Sequence, residues 1–297
     1  MEGYIMREKR ERIKLAQKQN LTGWVFLLPA VLLIVCMSFY PIIQTIILSL
    51  KQNTGVGVGI FSNYVRLIQD STFKSCLFNT FFYLIIQVPI MLMLALTLAV
   101  LLNKRDLKGK GLFRTAIFLP CATSLVSYSM IFRSMFANDG FVNVILDKLG
   151  LEAIGWFSNS WTARGVIILA LIWRWTGYNM VFYLAGLQNI ETSVYEAARI
   201  DGANEVHSFF KITIPLLKPT ILLTAIMSTT GTLQLFDESL NLTSGGPGRS
   251  TMTISHYIYN VSFVQNPNFG YAAAISIVVL IIVAILAMVQ MKVGDER

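Results

Sequence analysis

The 297-residue chain is 55% hydrophobic and only 13% charged, with a mean hydropathy of +0.61; this excludes an ordinary soluble domain, in which about a quarter of the residues would be charged. A net charge of +8 does not signal nucleic acid, because the basic residues sit at the ends of apolar segments rather than in a stripe with aromatics. The three cysteines and two histidines are scattered, with no CxxC pair, no zinc-ligand spacing and no nucleophile–base set, so no metal, no cofactor and no enzymatic reaction is expected.

A bilayer core needs about 20 apolar residues in a helix, and six stretches qualify. Residues 1–22 form a basic tail carrying Arg7, Lys9, Arg10, Arg12, Lys14 and Lys18. The first span, 23–50, is broken by Pro29 and Pro41; it is too long for a cleaved signal and is expected to be retained. The second is 78–102, with Pro89 inside, and the third 112–136, with Pro120. The fourth is 165–187. The fifth begins between Pro215 and Pro219 and ends near Phe236, and the sixth is 271–291. Lysine and arginine placement sets the orientation. The tail, the second loop (Lys104, Arg105, Lys108, Lys110) and the fourth loop (Arg199, Lys211, Lys218) are richer in positive charge than the loops between them. Both termini and the even loops are therefore expected in the cytoplasm. Loops 137–163 and 238–270 then face outside, with Trp156, Trp161, Tyr257 and Tyr259 suited to the interfacial belt.

The fourth loop, 191–219, is far longer than a turn back into the bilayer requires, which marks a docking surface. Ser193 and Glu196 have the spacing of a capping box, predicting a short helix through Ile200. Gly202 permits the left-handed turn that ends it, and a second short helix is predicted over 203–211, punctuated by Pro215 and Pro219. Tyr195, Ala198, Ile200, Val206, Phe209 and Phe210 supply apolar knobs. The competing reading, an amphipathic helix resting on headgroups, is opposed by Glu191, Glu196, Asp201 and Glu205, which anionic lipid repels.

Glu196-Ala197-Ala198, Gly202 after three residues, and Ile212-Thr213-Ile214-Pro215 after nine more resemble the EAA motif of ABC importer permeases, with isoleucine where the usual I-x-L-P has leucine. FRTAIFLPCATS at 113–124, LAGLQNIETSVYEAARIDGAN at 184–204 and LTSGGPGRST at 242–251 resemble the carbohydrate branch, and within it the first permease subunit of maltose and multiple-sugar systems. The resemblance covers about residues 20–291. It implies an all-α integral membrane protein with the type I importer permease fold and about six transmembrane helices. The permease core is 75–291, with the first helix an addition. It also implies that Tyr195, Glu196, Ala197, Ala198, Asp201, Gly202 and Ala203 couple to an ATPase. The implied partners are a second permease in a heterodimer, two ATP-binding cassette subunits, an extracellular solute-binding protein and a carbohydrate, with the chain in a bacterial inner or plasma membrane. The chain has no GxxxxGK[ST] loop, so ATP hydrolysis belongs to the partners.

Sugar recognition needs aromatic faces and amides or carboxylates. The fourth span offers Trp173, Trp175, Tyr178 and Asn179, and the fifth Thr232, Gln234, Asp237 and Glu238. Because the maltose-type relatives hold sugar in these regions, the resemblance implies substrate contacts from Trp175, Tyr178, Asn179, Gln234 and Asp237. The competing reading makes the aromatics interfacial anchors and leaves both acids in external headgroup water. Arg174, mid-span, must face protein or water, with an acidic side chain as its candidate partner. The alternative function is a stand-alone secondary transporter, which would require an inverted repeat; no second copy of the 191–219 loop is present.

Overall fold

The computed structural model describes residues 22–51, 61–104 and 107–295; the basic tail through residue 21 and Arg105 lie outside them. Among the described residues every regular element is helical, which keeps each backbone amide paired within its own segment where lipid offers no partner. Among the described residues, five helices are long and apolar enough to cross a membrane, or six if one bent pair counts as a span.

Helix α1 (Thr22–Leu50) runs 29 residues, and neither Pro29 nor Pro41 breaks it. A proline removes an amide and crowds the carbonyl four residues back. Ahead of Pro41 the chain absorbs this with one π turn, Val35–Phe39, in which the Tyr40 amide donates to the Val35 carbonyl. The apolar side chains of α1 are mostly exposed, and only its far end docks, against α2 (Ser62–Gln69) and α12 (Phe269–Asp295). There Asn63 Nδ2 donates to the carbonyls of Ser49 (2.8 Å) and Lys51 (3.0 Å), satisfying groups that the helix end leaves open.

Helix α3 (Ser71–Asn103) is capped by Asp70, whose carboxylate accepts from the amides of Thr72 and Phe73. The other carboxylate oxygen accepts from the hydroxyls of Tyr257 (2.5 Å) and Tyr271 (2.6 Å). Burial alone would raise the Asp70 carboxyl; the two hydroxyls and two amides together hold it below the ordinary value. One side chain thus ties the start of α3 to α11 (Ile254–Tyr259) and α12.

The third predicted span is not one rod. It is divided into α4 (Lys110–Ala122) and α5 (Leu125–Met135), bent by 98°. Thr123 and Ser124 are extended between them, and the Thr123 hydroxyl closes the end of α4 by donating to the Pro120 carbonyl at 2.7 Å. After α6 (Phe141–Lys148) comes α7 (Ser160–Gln188), capped by Asn159, which packs most extensively on α3 and next on α4. At Gly177 an added Cβ would lie 2.0 Å from the Ile117 carbonyl oxygen. Only glycine lets α7 approach the α4 backbone this closely.

Helix α8 (Thr192–Ile200) is followed by α9 (Glu205–Leu233), 29 residues long. The short second helix expected over 203–211 is instead the first part of α9. A π turn at Phe209–Thr213 carries the helix past Pro215, with the Ile214 amide donating to the Phe209 carbonyl, and Pro219 lies within the continuing helix. A short α10 (Asp237–Asn241) precedes α11. Buried side chains form three clusters: one around Tyr271 and Met252, one around Tyr128 and Leu171, and one of Ala95, Ala99, Met180, Tyr183 and Leu217 where α3, α7 and α9 meet.

Gly177→Val is expected to force α4 away from α7 and to destabilise the fold by about 3 kcal/mol or more. Thermal unfolding of the detergent-solubilised protein measures it; an unchanged midpoint would contradict the close crossing.

Candidate functional site

Two regions carry the functional residues named from the sequence. The first is a cavity of about 370 Å³ between α3, α7, α9 and the segment that follows α9. Trp175, Tyr178 and Asn179 lie three and four residues apart, so α7 presents them on one face, and all three line the cavity together with Gln234 and Asp237. The ring of Trp175 meets Tyr178 edge-on at 5.8 Å. Trp173 points elsewhere, against Phe132 at 5.4 Å and Tyr128 at 6.4 Å.

The structure adds Gln87, which the sequence reading passed over. It is 2% exposed, lines the cavity, accepts from the Thr232 hydroxyl at 3.1 Å and donates to Met91 Sδ at 3.1 Å. Its signal was present: an amide inside a strongly apolar window is costly unless it has a task. Asn179 donates to the Trp175 carbonyl (3.0 Å) and accepts from the Ser228 hydroxyl (3.3 Å). Polar groups of α3, α7 and α9 are thereby drawn to one wall.

Helix α9 ends here because the chain turns at Gln234, whose amide is shared between the carbonyls of Thr230 and Gly231 at 3.2 Å. The segment after it is tied down on its far side. The Thr253 hydroxyl donates to the Leu235 carbonyl at 2.5 Å, and the Ser239 hydroxyl donates to the Thr251 carbonyl at 2.9 Å. With its proton used, Ser239 Oγ accepts from His256 Nδ1 (2.9 Å) and from the Thr253 amide. Glu238, expected as an alternative in headgroup water, is instead 3% exposed and accepts from the Tyr128 hydroxyl. Burial pushes its carboxyl up, the Tyr128 bond opposes that rise, and the neighbouring Asp237 charge adds to it. Asp237 is half-exposed.

Arg174 stands behind this cavity, 5% exposed. Its partners are not the acid expected but the open carbonyls at the end of α4: it donates to Pro120 O at 3.2 Å and Cys121 O at 3.3 Å, and to Thr123 Oγ1 at 3.4 Å. The guanidinium lies 4.7 Å from the centre of the Tyr128 ring and 5.5 Å from that of Trp175. A cation at the C-terminal end of a helix meets the negative end of its dipole.

The second region is the elbow between α8 and α9. Gly202 has φ +82°. The Ala203 amide reaches the Ala198 carbonyl (2.9 Å) and the Gly202 amide the Arg199 carbonyl (3.1 Å), the two bonds of a Schellman ending. The capping box does not form: the N-cap is Glu191, two residues before Ser193, so that α8 starts at Thr192, and the Ser193 hydroxyl donates to the Glu191 carboxylate at 3.2 Å. Asn204 caps α9 by accepting from the His207 amide. Tyr195 turns inward, its hydroxyl 3.1 Å from Thr213 Oγ1, and Ala198 is buried. Glu196, Ala197, Asp201 and Gly202 are exposed and Ala203 half-buried. Ile200 (86%), Val206 (65%) and Phe210 (60%) are exposed as apolar side chains on this elbow, a pattern that marks an interaction surface.

A family model described as the inner membrane component of binding-protein-dependent transport systems matches residues 55–293. The lactose transport system permease protein LacF of Rhizobium radiobacter is 49% identical over 96% of this chain and 98% of its own length. The arabinooligosaccharides transport system permease protein AraP of Halalkalibacterium halodurans is 37% identical, over 94% of this chain and 91% of its own. In fold the chain resembles a subunit of a bacterial ABC transporter that imports the acidic polysaccharide alginate, with a TM-score of 0.83 at 23% identity over 95% of this chain and 98% of that one.

Arg174→Met keeps the side chain's length and removes its donors, leaving the Cys121 carbonyl without that partner while the Pro120 carbonyl keeps only the Thr123 hydroxyl and amide. The expected loss is about 1–2 kcal/mol, read as a lowered thermal midpoint; Arg174→Lys should recover part of it, and equal stability of all three proteins would remove the capping role.

Proposed function

The chain belongs to the family of inner membrane components of binding-protein-dependent transport systems, and from that premise we propose that it forms one half of the transmembrane path of an ATP-driven carbohydrate importer. A sibling permease supplies the other half, two ATP-binding cassette subunits drive it from the cytoplasm, and an extracellular solute-binding protein delivers the cargo. The chain itself is a transport component without ATP-hydrolysing chemistry. The stand-alone secondary transporter is set aside by the family membership.

The observation that carries this reading is the continuity of α9. Its first turn belongs to the elbow and its last turn to the cavity wall, and the whole helix is 29 residues long, about 43 Å at 1.5 Å per residue. Force applied at Tyr195–Ala203 moves α9 as a rod and reaches Gln234, where helical structure stops. Closure of the ATPase dimer would draw the elbows of the two permeases together and reopen the cavity toward the opposite face, a two-state coupling. In this reading Tyr195, Glu196, Ala197, Ala198, Asp201, Gly202 and Ala203 form the ATPase seat, and both termini lie in the cytoplasm. Trp175, Tyr178, Asn179, Gln234 and Asp237 hold the sugar, Trp175 and Tyr178 against its apolar face and the others at its hydroxyls. Residues 75–291 form the permease core, and the preceding helix is an addition that meets lipid or the sibling subunit. The LacF and AraP relatives support a small saccharide as cargo.

The test is uptake of labelled lactose into proteoliposomes holding the complete transporter. Uptake is expected only with ATP at the elbow side and binding protein at the other; uptake without either would overturn the proposal. Gly202→Pro loses both the positive φ and the amide donated to Arg199, and should cut binding-protein-stimulated ATP hydrolysis at least about tenfold while the complex still assembles. Gln234→Ala should weaken uptake without impairing assembly, and unaltered uptake kinetics would remove Gln234 from the site.

A further inference from the structure

We propose that the cavity discriminates by charge, accepting uncharged saccharides and rejecting anionic ones, and that Asp237 sets this preference. The inference rests on the saccharide reading above and extends it to a substrate class.

Among the described residues the cavity lining contains two ionisable carboxylates, Asp237 and Glu238, and no lysine, arginine or histidine. An anionic sugar is ordinarily met by a guanidinium or ammonium, which pairs with its carboxylate directly. Among the described residues Arg174 is the cation beside this cavity; it does not line it, and its two terminal nitrogens are engaged elsewhere while its Nε has no hydrogen-bond partner. Its two terminal nitrogens donate to the end of α4, and its face is covered by Tyr128 and Trp175. Trp175 itself lines the cavity, so the ring stands between that guanidinium and a solute.

The two acids differ in what they can do. Glu238 is buried and held by Tyr128; it is part of the wall. Asp237 is half-exposed at the cavity, where its oxygens can accept hydrogen bonds from sugar hydroxyls. A neutral polyol gains these charge-assisted bonds. A carboxylate-bearing solute of the same shape meets a like charge in a partly desolvated site, where repulsion is stronger than in water. The remaining amides and hydroxyls of the wall, Gln87, Asn179, Ser228, Thr232 and Gln234 among them, are neutral and serve hydroxyls of either kind equally well. On this subunit's half of the path, discrimination therefore falls to Asp237.

The experiment measures binding to the complete transporter in nanodiscs, without binding protein, so that selection upstream does not mask selection by the cavity. The probes are lactose and the disaccharide in which its galactosyl C6 is oxidised to a carboxylate. Lactose should bind at least about tenfold more tightly, and Asp237→Asn, which keeps the shape and removes the charge, should shrink that gap to less than about threefold. Asp237→Ser, smaller and still polar, should shrink it likewise, which guards against a defect peculiar to one variant. Equal affinities in the unaltered protein, or a gap that survives both substitutions, overturn this inference alone. Binding of neither sugar overturns the saccharide reading and this inference together.

Discussion

The architecture turns on a buried cation that closes a broken helix. Ending α4 inside an apolar bundle leaves carbonyls with no helical partner, and lipid supplies no donor. Arg174 reaches across from the middle of α7 to donate to Pro120 and Cys121. The same contact makes the arginine tolerable mid-span, because its charge meets the negative end of a helix rather than hydrocarbon. With α4 closed, α5 is free to turn through 98° and place Tyr128 against Glu238. The cavity wall after α9 therefore depends on a contact made behind Trp175.

A second tie stands at the start of α3. Asp70 receives two amides and two phenol hydroxyls from three separate elements, so α3, α11 and α12 share one anchor. Helix α9 has its two ends in different functional regions. It remains continuous because the π turn at Phe209–Thr213 accommodates Pro215 without severing the helix.

Long apolar windows made most of the spans legible in the sequence, since no other arrangement satisfies 20 consecutive apolar residues. The elbow was legible for a different reason: Gly202 sits where a left-handed residue is required, and its φ is +82°. Prolines misled in both directions. Pro41 and Pro215 do not break their helices, because a π turn precedes each, while the third span does stop just beyond Pro120, because Arg174 and Thr123 are placed to close it. That closure is a long-range contact, invisible to local pattern. Ser193 and Glu196 have capping-box spacing, yet Thr192 starts the helix and the hydroxyl finds Glu191 instead. The face made by Trp175, Tyr178 and Asn179 follows from helical spacing, whereas Gln87 is about ninety residues away in sequence and meets them only through the packing of α3 on α7.

The bond between Tyr195 and Thr213 joins α8 to the first turns of α9, and α9 has no joint before the cavity. A small molecule wedged beneath that tyrosine would hold the distant wall in one posture without occupying the place where cargo rests. It would act on cargo through the shared two-state equilibrium, so the apparent affinity for cargo would shift together with the rate, and by the same factor cargo would shift the affinity for the wedge.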